Sequence, residues 1–103
     1  MSEELRIGLT TCDNADIAER IAWELVERKL AACVKLDQNV RSIYRYQGEI
    51  QETSEIRLMV KFPERNADAI ESFIKANHPY AIPEWIVIRP ESVCQKYLEW
   101  ATG

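Results

Sequence analysis

Three thiols and one imidazole are the side chains of this sequence with the most scope for chemistry. The cysteines are Cys12, Cys33 and Cys94, and His78 is the only histidine. The cysteines are odd in number, lie far apart and form no Cys-x-x-Cys pair, so they do not indicate a disulfide framework. Free thiols are typical of a reducing compartment, and we therefore predict a cytoplasmic protein.

Two of the thiols allow more than one interpretation. Cys12 follows a predicted strand and precedes a predicted helix, a position that can lower the pKa of a thiol. An unreactive thiol in a turn at residues 11–14 is the alternative that we favour. Cys33 lies in an apolar run, where a packed thiol is more common than a metal ligand. Soft metals could still bind either of these thiols.

His78 stands in the segment 78–84, whose backbone is restricted by two prolines. A side chain on such a stiff loop can be a metal ligand or a capping and hydrogen-bonding residue, and the sequence leaves both open. No local spacing places a nucleophile and a carboxylate beside it for a catalytic triad. The three glycines are too scattered for a phosphate-binding loop. We therefore predict that the protein is not an enzyme.

Charged residues on or beside predicted strands form the remaining candidates for a site. Glu55, Lys61 and Glu84 are three such residues. A solvated face explains them unless an interface between subunits brings them together.

The first elements that must position these residues are a strand and a helix. Apolar residues alternate from Leu5 to Leu9, which predicts a strand with one apolar face. Asp13 or Asn14 can cap the helix that follows. Its apolar residues recur at helical spacing: Ile17, Ala18, Ile21, Ala22, Leu25, Val26 and Leu30.

A long β-hairpin is predicted from about residue 31 to 63, with its turn at Gln47-Gly48. A two-residue turn there makes the numbers of paired residues sum to 95, so charged residues of the first strand would oppose core residues of the second. Cross-strand partners share a face, and a shift of one residue restores the apolar pairing. The sequence therefore predicts a β-bulge within residues 37–39.

The second half of the chain repeats the pattern of helix and strand. Pro63 suits the first turn of a helix over 64–77, and that helix must end near His78. The later segments are an extended loop at 78–84, a strand at 85–89, a capping box at 92–95 and a last helix through Trp100.

The order β-α-β-β-α-β plus a terminal helix predicts an α+β, ferredoxin-like fold with a long central hairpin. Two helices then cover one face of the sheet. The other face and the hairpin tip keep more apolar surface than one small domain buries. The residues concerned are Ile43, Met59, Tyr44, Tyr46, Ile50, Trp85 and Trp100. We therefore predict a symmetric oligomer.

Composition narrows the classes of partner. The 103 residues suit a single domain spanning 1–103. A formal net charge of −4 argues against nucleic-acid binding, which needs a basic face. An acidic start and the absence of a run of about 20 apolar residues predict no targeting segment and no membrane partner.

Several motifs in a fixed order then carry a resemblance to a known family. They are Thr10-Thr11, 18–22, Leu30-Ala31-Ala32-Cys33-Val34, Ser42 to Gly48, Glu55, Lys61, His78-Pro79-Tyr80, Pro83-Glu84 and Tyr97 to Trp100. Over nearly the whole chain the sequence resembles the CutA, or divalent-cation tolerance, family. The resemblance implies a ferredoxin-like fold, a homotrimer similar to the PII signalling proteins, and a link with copper and other divalent cations.

The metal ligands that the resemblance implies are only partly present. A cysteine near the end of the first strand and a His-His pair before Pro-Tyr are the ligands proposed for copper-binding relatives. Those positions hold Thr10, Asn77 and His78 here, so His78 is the one candidate metal ligand that the chain retains.

Two functions are carried forward. The first is a homotrimeric protein of divalent-cation tolerance that binds copper or another divalent cation. The second is a PII-like signalling module that binds a small molecule or protein partner in clefts between subunits. The cleft candidates are Glu55, Lys61, His78, Tyr80 and Glu84. An enzyme with a site assembled between subunits is the least favoured alternative.

Overall fold

The strands and helices follow the order that the sequence predicts. The computed structural model describes residues 3–103. The elements are β1 (Leu5–Cys12), α1 (Ala15–Glu27), β2 (Cys33–Tyr46), β3 (Glu49–Pro63), a 3-10 turn (Glu64–Asn66), α2 (Ala67–Asn77), β4 (Ile86–Ile88) and α3 (Gln95–Thr102). The strands form one antiparallel sheet in the order β2-β3-β1-β4. This is the split βαβ arrangement, so the predicted α+β, ferredoxin-like fold is confirmed.

The helices α1 and α2 pack on one face of the sheet and close the core against β3. Every second residue of β3 is buried there, as the period of a strand requires: Ile56, Leu58, Val60 and Phe62. These residues pack with Ile21 and Leu25 of α1 and with Ile70 and Ile74 of α2. Burying a side chain of this size stabilises the fold by about 1.5–3 kcal/mol. This layer therefore holds the base of the hairpin to both helices.

The alternating apolar side chains of β1 face away from α1 and α2. Gly8 pairs with the core residue Val60, whereas Leu9 pairs with Met59 on the opposite face. Thr10, which reads as a solvent-facing position in the sequence, is 1% exposed. The apolar face of β1 therefore exists as predicted, but it lies on the side of the sheet opposite α1 and α2.

The C-terminal helix lies on that second side. α3 contacts β1 and β3, and Lys61 Nζ lies 5.3 Å from the centre of the Tyr97 ring of α3. The predicted capping box at Ser92 is wrong, because the N-cap is Cys94 and no side chain caps the helix.

The predicted irregularity in the hairpin is confirmed. Asp37 pairs with Arg57 and Val40 with Glu55, so two residues of β2 oppose one residue of β3. Asn39 has φ 56°, in the left-handed region that asparagine tolerates better than most residues.

The bulge also changes which face the hairpin tip presents. Beyond it, Ile43 pairs with Glu52, which shares a face with Leu58. The expectation that Ile43 and Met59 share a face is therefore wrong. Tyr44, by contrast, lies on the face opposite the core.

Three expectations at the ends of elements are also corrected. Pro63 is the last residue of β3, and a 3-10 turn separates it from α2. The strand expected at 85–89 is only Ile86–Ile88. Trp85 is half-buried against the core, with its ring 6.2 Å from that of Phe62, so it does not add to the exposed apolar surface.

The ends of α1 follow their sequence signals more closely. Asn14 caps the helix, because its side chain accepts a hydrogen bond of 3.0 Å from the Ile17 amide. The helix ends at Glu27, three residues before Leu30, so the expectation that Leu30 belongs to it is wrong, and Lys29 adopts φ 59°. The amides of Lys29 and Leu30 donate to carbonyls of the last turn, which is a Schellman ending.

Candidate functional site

A groove of about 760 Å³ lies beside the hairpin, on the face away from the core, where the loop between α2 and β4 approaches β2 and β3. Its walls combine carboxylates, tyrosines and small polar residues. They are Thr11, Asp13, Ser42, Ile43, Tyr44, Tyr46, Thr53, Glu55, Tyr80, Ala81, Ile82 and Glu84. The bulge positions this groove, because it places alternate β2 residues beyond residue 39 on the same face as Glu55.

The buried Glu55 and the half-buried Tyr80 form the centre of the groove. Glu55 is 7% exposed, and its Oε2 accepts a hydrogen bond of 2.7 Å from the Tyr80 hydroxyl. Burial raises the pKa of Tyr80, and the hydrogen bond and charge of Glu55 raise it further. The phenol therefore stays protonated at neutral pH and remains a donor to the carboxylate.

His78 fastens the loop to the end of β1. Its Nδ1 accepts a hydrogen bond of 3.1 Å from the Tyr80 amide, so the Nε2 proton is donated to the Thr11 carbonyl at 2.8 Å. The His78 and Tyr80 rings meet edge to face with centres 4.8 Å apart. In this arrangement His78 acts as a clamp that sets the direction of Tyr80.

Cys12 is a packed thiol and not an activated one. It is the last residue of β1, 1% exposed, and its thiol donates to the Asn14 carbonyl at 3.4 Å. Burial raises the pKa of Cys12, and the nearby charges of Asp13 and Glu55 also raise it. The predicted turn at 11–14 starts two residues too early, because residues 11 and 12 both belong to β1. The burial and the raised pKa of the thiol agree with the unreactive alternative that the sequence favours. Cys33 is half-buried and Cys94 is exposed.

Not all sequence candidates meet in one place. Glu55, Tyr80 and Glu84 line the groove, and His78 adjoins it through Tyr80. Lys61 is six residues beyond Glu55 on β3, about 20 Å away at the usual rise of a strand, and it lies beside α3. Within one chain Lys61 is therefore not part of this groove.

The structure adds groove residues that the sequence reasoning missed. Asp13 is exposed at the end of β1, and Tyr44 lies across from Gln51 on the face of Glu55. The position of Asp13 directly after the strand was a usable signal. Tyr44 faces the groove because the bulge at residues 38–39 changes the face on which the later residues of β2 lie.

The two other positions that the family resemblance marks as candidate metal ligands have structural roles here. Thr10 is buried on the core face, and its hydroxyl has no hydrogen-bond partner among the described residues. Asn77 donates from its side-chain amide to the Phe73 carbonyl at 2.9 Å and closes the end of α2. Within residues 3–103 of one chain, no three His, Cys, Asp or Glu side chains are placed to hold a single metal ion.

No helix within residues 3–103 is long and apolar enough to span a membrane.

Comparison with known proteins links this arrangement to one family. A family model described as "CutA1 divalent ion tolerance protein" matches residues 6–103. "Protein CutA" of Mus musculus is 39% identical over 93 residues, which are 90% of this chain and 52% of the mouse protein. The chain thus spans about half the length of the mammalian relatives it matches.

Bacterial relatives match over more of their length. "Divalent-cation tolerance protein CutA" of Thermus thermophilus is 38% identical over 94 residues, which are 91% of each chain. The crystal structure of CutA1 from Shewanella sp. SIB1 superposes with a TM-score of 0.91 at 40% identity, covering 98% of this chain and 94% of that one.

Proposed function

Because the chain belongs to the CutA1 divalent ion tolerance family, we propose that it functions in divalent-cation tolerance, as a homotrimer that binds copper or another divalent cation and catalyses no reaction. The single observation that carries the cation-binding part is the charge of the groove. Asp13, Glu55 and Glu84 line it, and no lysine or arginine does so among the described residues. A cleft lined by one sign of charge concentrates ions of the opposite sign.

The nearest arginine on that face does not cancel this charge. Arg57 lies beside Glu55 on β3, but its guanidinium donates twice to Asp37 Oδ2, each time at 3.2 Å. That ion pair joins β2 and β3 at the last pair of residues before the bulge, toward the base of the hairpin. The groove carboxylates therefore remain available to a cation.

His78 is the candidate copper ligand, through Nδ1. A histidine that binds a metal commonly donates its other ring N–H to a backbone carbonyl, and Nε2 already does so to Thr11. Binding at Nδ1 would cost only the 3.1 Å hydrogen bond from the Tyr80 amide. Further ligands would come from another chain, because the described part of one chain offers no set of three.

Exposed apolar strands support the proposed assembly. Ile86, Val87 and Ile88 form the edge strand β4, and all three are exposed, as is Ile50 at the hairpin tip. Open edges with apolar side chains are sites of association with another chain. A closed symmetric trimer would cover them without producing open-ended polymers. We also propose that the protein acts in the cytoplasm, since its three free cysteines suit a reducing compartment.

Copper titration of the reduced protein tests the metal role. We expect calorimetric binding by the wild type and a clear loss in His78→Ala, with a Cys33→Ser, Cys94→Ser variant as the control for thiols. If neither wild type nor His78→Ala binds copper below millimolar concentration, this member does not bind copper. Light scattering tests the assembly separately, and a monomer at micromolar concentration would contradict the trimer.

A second candidate function is favoured by the size of the groove. A volume of about 760 Å³ lies within the range of about 300–1,000 Å³ usual for small-molecule sites and is far larger than a metal ion needs. In that case the protein is a PII-like signalling module with a small ligand or protein partner. Mass spectrometry of the assembled protein, isolated under native conditions, would reveal a retained metabolite.

A further inference from the structure

We infer that the groove beside the hairpin binds an organic cation that carries two or more amino groups, of the diamine or polyamine class. This inference rests on the second candidate function, that the groove is a small-molecule site, and its test needs no copper. Three features carry it: an uncompensated buried carboxylate, carboxylates that do not converge, and aromatic walls.

The buried carboxylate of Glu55 lacks a positive partner. Only its Oε2 has a hydrogen bond, from the neutral Tyr80 hydroxyl, and none of the ion pairs among residues 3–103 includes Glu55. A buried charge is costly unless it is paired and hydrogen-bonded. Oε1 reaches the solvent of the groove, and an ammonium group there would supply both an opposite charge and a hydrogen-bond donor to it.

The spacing of the carboxylates selects an extended cation over a single ion. Glu55 lies at the buried centre, whereas Asp13 and Glu84 are exposed at the rim. They do not form a cluster that could hold one metal ion within the described part of the chain. Amino groups separated by several methylenes can reach both the centre and the rim, and each then meets a carboxylate in a charge-assisted hydrogen bond.

The aromatic walls suit the carbon chain of such a ligand. Tyr44 and Tyr46 are 43% and 53% exposed on the hairpin side of the groove. The Tyr44 hydroxyl lies 2.8 Å from Thr53 Oγ1, which fixes the ring before a ligand arrives. Aromatic faces attract cations within about 6 Å of the ring centre and pack against methylenes. A neutral or anionic ligand would gain no charge pairing here.

Calorimetric titration with hexamethylenediamine at neutral pH tests the inference on the reduced, chelator-treated protein in its native assembly. Hexamethylene glycol is the matched probe, since it has the same chain with hydroxyl groups in place of amino groups. We expect the diamine to bind and the glycol to bind at least about tenfold more weakly, because a charge-assisted bond is about twice as strong as a neutral one.

Two variants locate the site. Glu55→Gln keeps the shape of the side chain and its contact with Tyr80 but removes the charge. Glu84→Gln removes a charge at the exposed rim, where a substitution does not threaten folding. Each should weaken diamine binding by about tenfold. Glu52→Gln is the matched control, because Glu52 is exposed on the same strand and pairs with Arg41 on the opposite face. It should leave diamine binding unchanged.

Three outcomes would overturn the inference. They are no diamine binding at millimolar concentration, equal binding of the glycol, or equal losses in Glu84→Gln and Glu52→Gln. The absence of diamine binding is also the result expected if a second copy of the chain fills the groove. Copper is absent from these measurements, so failure here is distinguishable from failure of the metal role.

Discussion

Replacing Gly8 with alanine places a methyl group in space that the Trp85 indole occupies. A Cβ built on Gly8 overlaps Cη2 of the indole and comes within 2.7 Å of Cζ2 and 2.8 Å of Cζ3. Real Cβ atoms do not approach so closely, so the ring must move. The ring is not free to do so, because it is packed on Phe62 and the core.

The cost follows from overpacking a filled site. Insertion of extra carbon into a packed core costs about 1–3 kcal/mol, which outweighs the gain of at most about 1 kcal/mol from replacing glycine in a strand. For a domain of this size, each kcal/mol lowers Tm by about 4–8 °C. The comparison needs one fixed protein concentration, since Tm of an oligomer depends on it.

A double-mutant cycle identifies the clash as the cause. Trp85→Leu removes the ring, so Gly8→Ala should cost at least about 1 kcal/mol less in that background than in the wild type. Urea denaturation of the four proteins measures this coupling. If the changes in unfolding free energy of the two substitutions add within about 0.5 kcal/mol, crowding by Trp85 is not the reason that position 8 requires glycine.

Two further predictions concern the bulge and the centre of the groove. Asn39→Ala should lower the free energy of unfolding by about 1 kcal/mol, because φ 56° is unfavourable for alanine, whereas Asn39→Gly should not; equal urea midpoints for the two variants would contradict this. Above pH 10 the unfolded chain ionises tyrosine while the raised pKa keeps Tyr80 protonated in the fold, so the stability that this contributes is complete below pH 10 and is lost as pH rises. Tyr80→Phe should therefore lose less stability than the wild type between pH 10 and 11.5, measured by urea denaturation with Tyr46→Phe as control, and parallel declines would refute the role of Tyr80.

Local sequence signals predicted much of the fold. The Asn14 cap and the Gln47-Gly48 turn depend on neighbouring residues, so they could be recognised without tertiary information. The bulge at 37–39 could also be predicted, because only a change of register keeps Leu36 opposite Leu58. The capping box at Ser92 is wrong because a cap motif expresses only a local preference, and α3 begins after Cys94 without a side-chain cap.

The candidate site depends on more than local sequence signals. Glu55, Tyr80 and Glu84, which the sequence analysis assigns to a cleft between subunits, line one groove within the chain, and their grouping came from the family resemblance and not from the residues alone. Lys61, assigned to the same cleft, lies beside α3 in the single chain. The order of motifs does not reveal that Lys61 and Glu55 lie far apart along the same strand.

The sequence by itself determined the elements, their order and the register of the hairpin, because alternation, turn residues and caps act over a few residues. Only the tertiary structure decided which face of β1 meets the helices. The alternation of Leu5 to Leu9 is equally compatible with either side, and in the fold it is the Gly8 face that meets the core, with Trp85 lying over Gly8. Long-range contacts also hold His78 to Thr11 and bring Tyr80 to Glu55. The groove and its buried charge therefore arise from contacts between segments that are remote in sequence.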